Sequence, residues 1–163
     1  MKQLFLALLL LFSSAAVAAD DFSSDITAEA VVAQMNRYRA EAGLLPLRLD
    51  SKLTRAAEGR MQDMTDGGWW AHNSPEGTPP FVWLSIADYK YSLAGENLAS
   101  GFDTAKVLVE SWMESPGHRA NILTAPFADC GVAIIEGSTK GPAMGRSVVV
   151  LFARRLAESV ASK

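Results

Sequence analysis

Three side chains have the types and surroundings that chemistry requires: His72, Glu96 and His118. Each has turn-forming neighbours, and polar residues on irregular segments held by regular elements are where function concentrates. Two neutral imidazoles and a carboxylate match the ligand preferences of zinc and leave a fourth position for water. The separations of 24 and 22 residues fit no local metal motif. The fold must therefore bring the three together, and surface or capping roles stay open for both histidines.

Nucleophilic catalysis has weaker support in the sequence. There is no GxSxG motif, although Ser74 and Ser115 lie close in sequence to the two histidines. A serine–histidine pair also needs an orienting group and an oxyanion hole, and the sequence demonstrates neither. Cys130 lies in an apolar segment and is predicted to be a small buried hydrophobe, with a free reactive thiol or an intermolecular disulfide as the alternatives.

Length and composition restrict the class of protein. A chain of 163 residues with 49% apolar and 20% charged residues predicts one folded domain rather than a disordered chain. The formal charge of −3 leaves no basic surface, so no nucleic-acid partner is expected. A single cysteine excludes a framework of intramolecular disulfides.

The first 19 residues have the layout of a secretory signal peptide. A lysine precedes an apolar run over 4–12, and small residues follow before the first acidic ones. This run is far shorter than the roughly 20 residues that span a bilayer. We expect cleavage after Ala18 or Ala19, which leaves one domain over 20–163 with a charge of 14 − 18 = −4. The mature protein is therefore predicted to be secreted or periplasmic and not membrane-spanning.

Helical periodicity and caps predict the elements that must position the three candidate residues. The predicted helices run from Thr27 to Gly43, from Asp50 to Gly67, over 80–87 and from Asp103 to Pro116. His118 is expected on a tight turn or a short helical segment through Ile122.

The C-terminal part changes to a period of two. Val132 and Ile134, then Val148, Val150 and Phe152, alternate with other residues that are also largely apolar. This pattern predicts an antiparallel hairpin with both faces covered. Residues 90–93 are one further candidate strand. Helices followed by a terminal hairpin indicate an α+β layered fold.

Four segments, in this order, resemble motifs of the CAP superfamily, which comprises the cysteine-rich secretory proteins, antigen 5 and the plant pathogenesis-related class 1 proteins. Residues 36–47 (NRYRAEAGLLPL) resemble the opening helix of this SCP domain, and 71–77 (AHNSPEG) its first histidine motif. Residues 95–99 (GENLA) resemble the GEN motif, and 112–123 (WMESPGHRANIL) the bacterial form of the second histidine motif. The resemblance covers about residues 30–153.

This resemblance implies a three-layer α-β-α sandwich with a small antiparallel sheet between helices. It also implies a cleft with two histidines and two acidic residues, where the histidine pair binds zinc or another divalent ion in some members. Carried over, the histidines are His72 and His118, and the first acid is Glu96. Eukaryotic members place the second acid where this chain has Ser115. The flanking Glu114, four residues before His118, is preferred over Glu110.

Three functions follow from these residues. The leading hypothesis is a secreted CAP domain whose cleft binds a small molecule, lipid or peptide, with or without a divalent metal. The alternative enzyme is a metal-dependent hydrolase or peptidase in which His72 and His118 hold zinc or another divalent cation and Glu96 is the general base. The third hypothesis is a non-catalytic interaction module of the cell envelope, where the same residues only stabilise the loops.

Overall fold

The computed structural model describes residues 25–138 and 145–157. The predicted leader over 1–19, and with it the cleavage after Ala18 or Ala19, lies outside the described residues.

Helices α1 (Ala28–Glu41) and α2 (Ser51–Gly67) begin at the predicted caps. Thr27 accepts a hydrogen bond from an amide of α1 at 3.1 Å, and the Asp50 carboxylate accepts two from the first turn of α2. These side chains satisfy donors that a helix leaves free at its start. Gly68 ends α2 with a φ of 68°, a conformation that favours glycine.

Three shorter helices follow: α3 (Val82–Ile86), α4 (Ala105–Glu114) and α5 (Pro116–Leu123). The cap of α4 is Thr104 rather than the predicted Asp103, because the Thr104 hydroxyl accepts from an α4 amide at 3.2 Å. Only one residue separates α4 from α5. The proline that ends α4 therefore starts α5, at a position where its missing N–H is not needed.

The described residues form a four-stranded sheet in the order β1-β3-β4-β2. Its strands are β1 (Arg48–Leu49), β2 (Tyr91–Ser100), β3 (Asp129–Ser138) and β4 (Gly145–Arg155). Both β2 and β3 run antiparallel to β4, which confirms the predicted hairpin, but the two-residue β1 runs parallel to β3. The sheet is therefore mixed rather than antiparallel throughout.

The candidate strand at 90–93 is the beginning of the much longer β2. Glu96 lies inside this strand and is 5% exposed, so the predicted turn-rich setting for it was wrong. Glycine and asparagine are unfavourable in strands, and the flanking Gly95 and Asn97 concealed the strand for that reason. Continuous pairing of 93–100 with β4 overrides that local preference.

Alternate side chains of β4 face two different helical layers. Val148, Val150 and Phe152 lie in an apolar cluster with residues of α1, α4 and α5. The intervening residues of β4 lie in a second cluster with α2 and α3. The predicted three-layer α-β-α sandwich is thereby confirmed, and the run of apolar residues in β4 reflects burial on both faces.

One layer contact is especially close. A Cβ on Gly131 of β3 would lie 2.0 Å from the carbonyl carbon of Leu53 in α2, so only glycine fits.

Among the described residues, none of the helices is both long and apolar enough to cross a membrane.

Candidate functional site

Strand β2 reaches both helical layers through two consecutive residues, Glu96 and Asn97. Successive side chains of a strand point to opposite faces. Glu96 accepts a hydrogen bond from Arg60 of α2, whereas Asn97 donates one to the backbone carbonyl of His118 in α5. In the described sheet β2 is an edge strand, so its outer side pairs with no further strand.

The outer edge of β2 is covered by side chains. Gly101, directly after β2, donates its N–H to a carbonyl of β4 at 3.0 Å. Backbone groups of successive strand residues point to opposite sides, so the odd-numbered residues near this end of β2 face β4 and the even-numbered ones face away from it. Of these, Glu96 accepts from Asn121 at 3.0 Å and Leu98 accepts from the Trp112 indole at 3.1 Å. Helices α4 and α5 thus occupy two carbonyls that a further strand would need.

The Glu96 carboxylate has both oxygens engaged. Its Oε2 accepts from Arg60 Nε at 2.9 Å, and its Oε1 lies 2.7 Å from His72 Nδ1. The side chains of Glu96 and Arg60 are 2% and 1% exposed. A buried carboxylate between two such partners is held in place.

His72 follows α2 on a segment without helix or strand. Its side chain is 56% exposed although its Nδ1 meets the buried Glu96. In the neutral form Nδ1 carries the proton that Glu96 accepts, and Nε2 is left available. The hydrogen bond to Glu96 raises the pKa of His72 above its ordinary value, with desolvation opposing it, and the negative charge of Glu96 adds to the rise.

His118 comes from the opposite layer, in the first turn of α5. It is half-buried, and its ring centroid lies 6.2 Å from that of Trp112. Burial lowers the pKa of His118, and the charge of His72 lowers it further. The two imidazoles are therefore electrostatically coupled, although they belong to different layers of the sandwich.

Asn121 joins the two halves of the site. Its Nδ2 donates to the Glu96 carbonyl at 3.0 Å and to Asn97 Oδ1 at 2.9 Å. A Cβ on Gly95 would lie 2.7 Å from Asn121 Oδ1 and 3.1 Å from the Phe127 ring. The glycine before Glu96 therefore gives Asn121 the space it needs.

The structure brings His72 into contact with Glu96, and the charge of His72 acts on His118. The two acids considered for the second acidic position lie on α4. Glu114 is exposed and lines a groove of about 360 Å³ with Met113, Pro116, Arg119, Ala120 and Leu123. Glu110 is within 3.9 Å of Lys106 on the surface of α4. A break in helical geometry at Ser115 separates Glu114 from His118, so the spacing of four residues does not place them on one helix face.

The predicted metal ligands of this chain are two imidazoles, those of His72 and His118. No group of three histidine, cysteine, aspartate or glutamate side chains in residues 25–138 and 145–157 is arranged to hold a metal. Glu96 is the carboxylate beside His72, and both of its oxygens are already hydrogen-bonded, to Arg60 and to His72. This donor set does not fit the usual zinc site with three protein ligands.

Cys130 is fully buried, and burial raises the pKa of its thiol to about 12.

Two residues of the site were not singled out from the sequence, Arg60 and Asn121. Arg60 follows Leu53, Ala56 and Ala57 on the apolar face of α2, where the helical period predicts another apolar side chain. A charged residue at such a position is buried only when it is paired, and that signal could have identified it. Asn121 carries no comparable signal, because its role depends on the approach of α5 to β2.

Comparisons with known proteins agree with this architecture. The family model described as "Cysteine-rich secretory protein family" matches residues 32–151. The uncharacterized protein YkwD of Bacillus subtilis (strain 168) is 38% identical over 109 residues, which are 67% of this chain and 42% of that protein. This chain therefore spans less than half the length of that relative.

Solved structures give the same result. An extracellular protein containing an SCP domain from Bacillus anthracis matches with a TM-score of 0.67 and 26% identity, over 78% of this chain and 40% of that one. An outer surface protein from Borrelia burgdorferi matches with a TM-score of 0.68 and 22% identity, over 78% and 92% of the two chains. The second similarity concerns the fold alone.

Proposed function

The chain belongs to the cysteine-rich secretory protein (CAP) family, and on that premise we propose that it is an extracellular binding module whose cleft between His72 and His118 recognises a small molecule or peptide without transforming it. The observation that carries this proposal is that both carboxylate oxygens of Glu96 are hydrogen-bonded. Its buried carboxylate is held by Arg60 and His72 together, so it positions an exposed imidazole for contact with a ligand.

Export of the chain rests on two independent supports. The first 19 residues have the composition of a secretory leader. The similar Bacillus anthracis protein is described as extracellular. A protein that folds outside the cytoplasm with one buried cysteine depends on its apolar core for stability, and the two apolar clusters on either side of the sheet supply that core.

The hydrolase alternative is less well supported. A metal-assisted hydrolase needs a metal with an open position and a carboxylate that can take a proton. The described residues offer two imidazoles, and the nearest carboxylate is already bonded on both oxygens. Binding is therefore proposed to proceed without a metal. Calorimetric titration with Zn²⁺ tests this. Binding of one Zn²⁺ by the wild type, absent in the His72→Ala/His118→Ala protein, would show that the site does hold a metal.

The test of the binding function is a nuclear magnetic resonance titration with three separate probes: a pool of short peptides, a long-chain fatty acid and Zn²⁺. We expect one organic probe to shift the side-chain signals of His72 and His118. Binding of that probe should be lost in His72→Ala and kept in Asn73→Ala, the matched control at the neighbouring exposed position. Equal binding by all three proteins would contradict the proposal.

The same variants separate binding from a purely structural role. Removal of the His72 side chain takes one hydrogen-bond partner from the buried Glu96 carboxylate, so His72→Ala should lower the free energy of unfolding by about 1–3 kcal/mol. A large loss of thermal stability in His72→Ala, with no change in binding of any probe, would instead support the envelope scaffold.

A further inference from the structure

Arg60 contacts three separate parts of the site. From α2 its Nε donates to Glu96 of β2 at 2.9 Å. Its NH2 group donates to the backbone carbonyls of Ala71 and His72 at 2.6 and 2.8 Å. Its guanidinium also stacks over the Trp69 ring, 4.8 Å from the centroid. One buried side chain therefore joins a helix, an edge strand and the segment that carries His72.

The geometry of a guanidinium gives these contacts a fixed relation. Its donors lie in one rigid plane, so groups bonded to Nε and NH2 are located relative to one another. In this site those groups are the Glu96 carboxylate and the His72 backbone. A lysine ammonium has no planar fork and cannot reproduce this relation.

His72 is thereby held at two points. Its carbonyl is bonded to Arg60 directly, and its ring is bonded to Glu96, which Arg60 also holds. The other hydrogen bonds of the segment 73–78 that the structure describes are internal, such as Ser74 N–H to the Thr78 carbonyl at 3.0 Å and Gly77 N–H to the Ser74 carbonyl at 2.8 Å. The placement of the His72 ring therefore depends on Arg60.

We propose that Arg60 is a positioning residue of the ligand site: by holding the Glu96 carboxylate and the His72 backbone together, it keeps Nδ1 of the imidazole on Glu96 and leaves Nε2 for a ligand. This inference rests on the proposed binding function, although its main test uses protein without ligand. A carboxylate only accepts hydrogen bonds, so the Glu96 oxygen that faces His72 accepts from Nδ1–H. Nε2 is then the nitrogen that neutral His72 presents to a ligand.

Glu96→Gln tests this logic with little change in shape. Arg60 Nε is a donor, so it must face the amide oxygen of Gln, and the amide NH2 is turned towards His72. Neutral His72 must then accept at Nδ1 and carry its proton on Nε2. We expect long-range ¹H–¹⁵N spectra, at a pH where His72 is neutral, to show Nδ1–H in the wild type and Nε2–H in Glu96→Gln. The same proton position in both proteins would overturn the inference.

Arg60→Lys tests the same point from the other side. It keeps a charge beside Glu96 but cannot also hold the two loop carbonyls. We expect His72 to lose its single proton position and to show a mixture of tautomers. Affinity for the organic probe found in the titration should fall about tenfold to a hundredfold, the loss seen when a side chain that orients a metal-binding histidine is removed. An unchanged His72 spectrum together with unchanged affinity would overturn the inference.

Arg39 provides a matched control within the same chain. It is also fully buried, and it donates to four backbone carbonyls, those of Leu45, Ile122, Thr124 and Phe127. Arg39→Lys should lower the melting temperature and leave the His72 spectrum unchanged. An equal change of that spectrum in Arg39→Lys would reduce the role of Arg60 to general stability and overturn the inference. Loss of binding in His72→Ala tests the binding function separately.

Discussion

Replacing Gly95 by alanine tests how the GEN segment builds the site. The new methyl group would lie 2.7 Å from Asn121 Oδ1 and 3.1 Å from both Asn121 Cγ and the Phe127 ring. Phe127 is buried in the core and cannot move freely. Asn121 must therefore shift, and its two hydrogen bonds to β2 would be strained or broken.

The expected cost follows from these contacts. Overpacking of a core position costs about 1–3 kcal/mol, and each of the two hydrogen bonds contributes about 0.5–1.5 kcal/mol, so Gly95→Ala should lower the free energy of unfolding by about 2–6 kcal/mol. Gly131→Ala should cost more, because its methyl group would lie 2.0 Å from a backbone atom of α2. Gly117→Ala meets nothing within 4 Å and lies in α5, so it should be neutral or stabilising by up to about 1 kcal/mol.

Urea denaturation of the three variants measures this order, with the slope of the transition as a check that the unfolded states are comparable. Spectra of Gly95→Ala should also show a displaced His118, because Asn97, which Asn121 holds, donates to the His118 carbonyl. A Gly95→Ala protein within about 0.5 kcal/mol of the wild type, the range of ordinary surface substitutions, would refute the role of Gly95.

Two further predictions concern titratable groups. The pKa of His72 is raised in the folded protein, so His72 stabilises the fold below the ordinary histidine pKa, and this stability is lost as the pH rises through the pKa of the folded state. The pKa of His118 is lowered, so its contribution is present above the ordinary histidine pKa and is lost as the pH falls. Urea midpoints measured from about pH 5 to 8 should therefore lose their high-pH decline in His72→Ala and their low-pH decline in His118→Ala, and parallel curves would contradict this. The Cys130 thiol, which is buried with a pKa of about 12, should not react with a disulfide reagent until the protein is unfolded, and rapid reaction of the native protein would show that it is accessible.

The sequence predicted the features that depend on neighbouring residues. Thr27, Asp50 and Gly68 mark helix ends through contacts within one turn, and such signals can be read locally. The apolar run of β4 likewise predicted burial on both faces, and the two clusters confirm it. Resemblance to a known family added the order of the layers, which no local period contains.

What the sequence did not predict depends on long-range pairing. The strand around Glu96 was missed because its glycine and asparagine favour turns, whereas the pairing that overrides them comes from β4, about 50 residues later. Arg60 was missed because its partners, Glu96 and the carbonyls near His72, come together only in the fold. Glu114 was favoured by its helical spacing to His118, but Ser115 interrupts the helix.

The most direct test of the binding function is to follow one organic probe from the titration through binding and recovery. The wild-type protein should bind it with shifts centred on His72 and His118, and mass spectrometry should then recover it chemically unchanged. His72→Ala should remain folded and fail to bind it. Recovery of a cleaved probe, or full binding by folded His72→Ala, would contradict a recognition site in which Glu96 holds an imidazole in place.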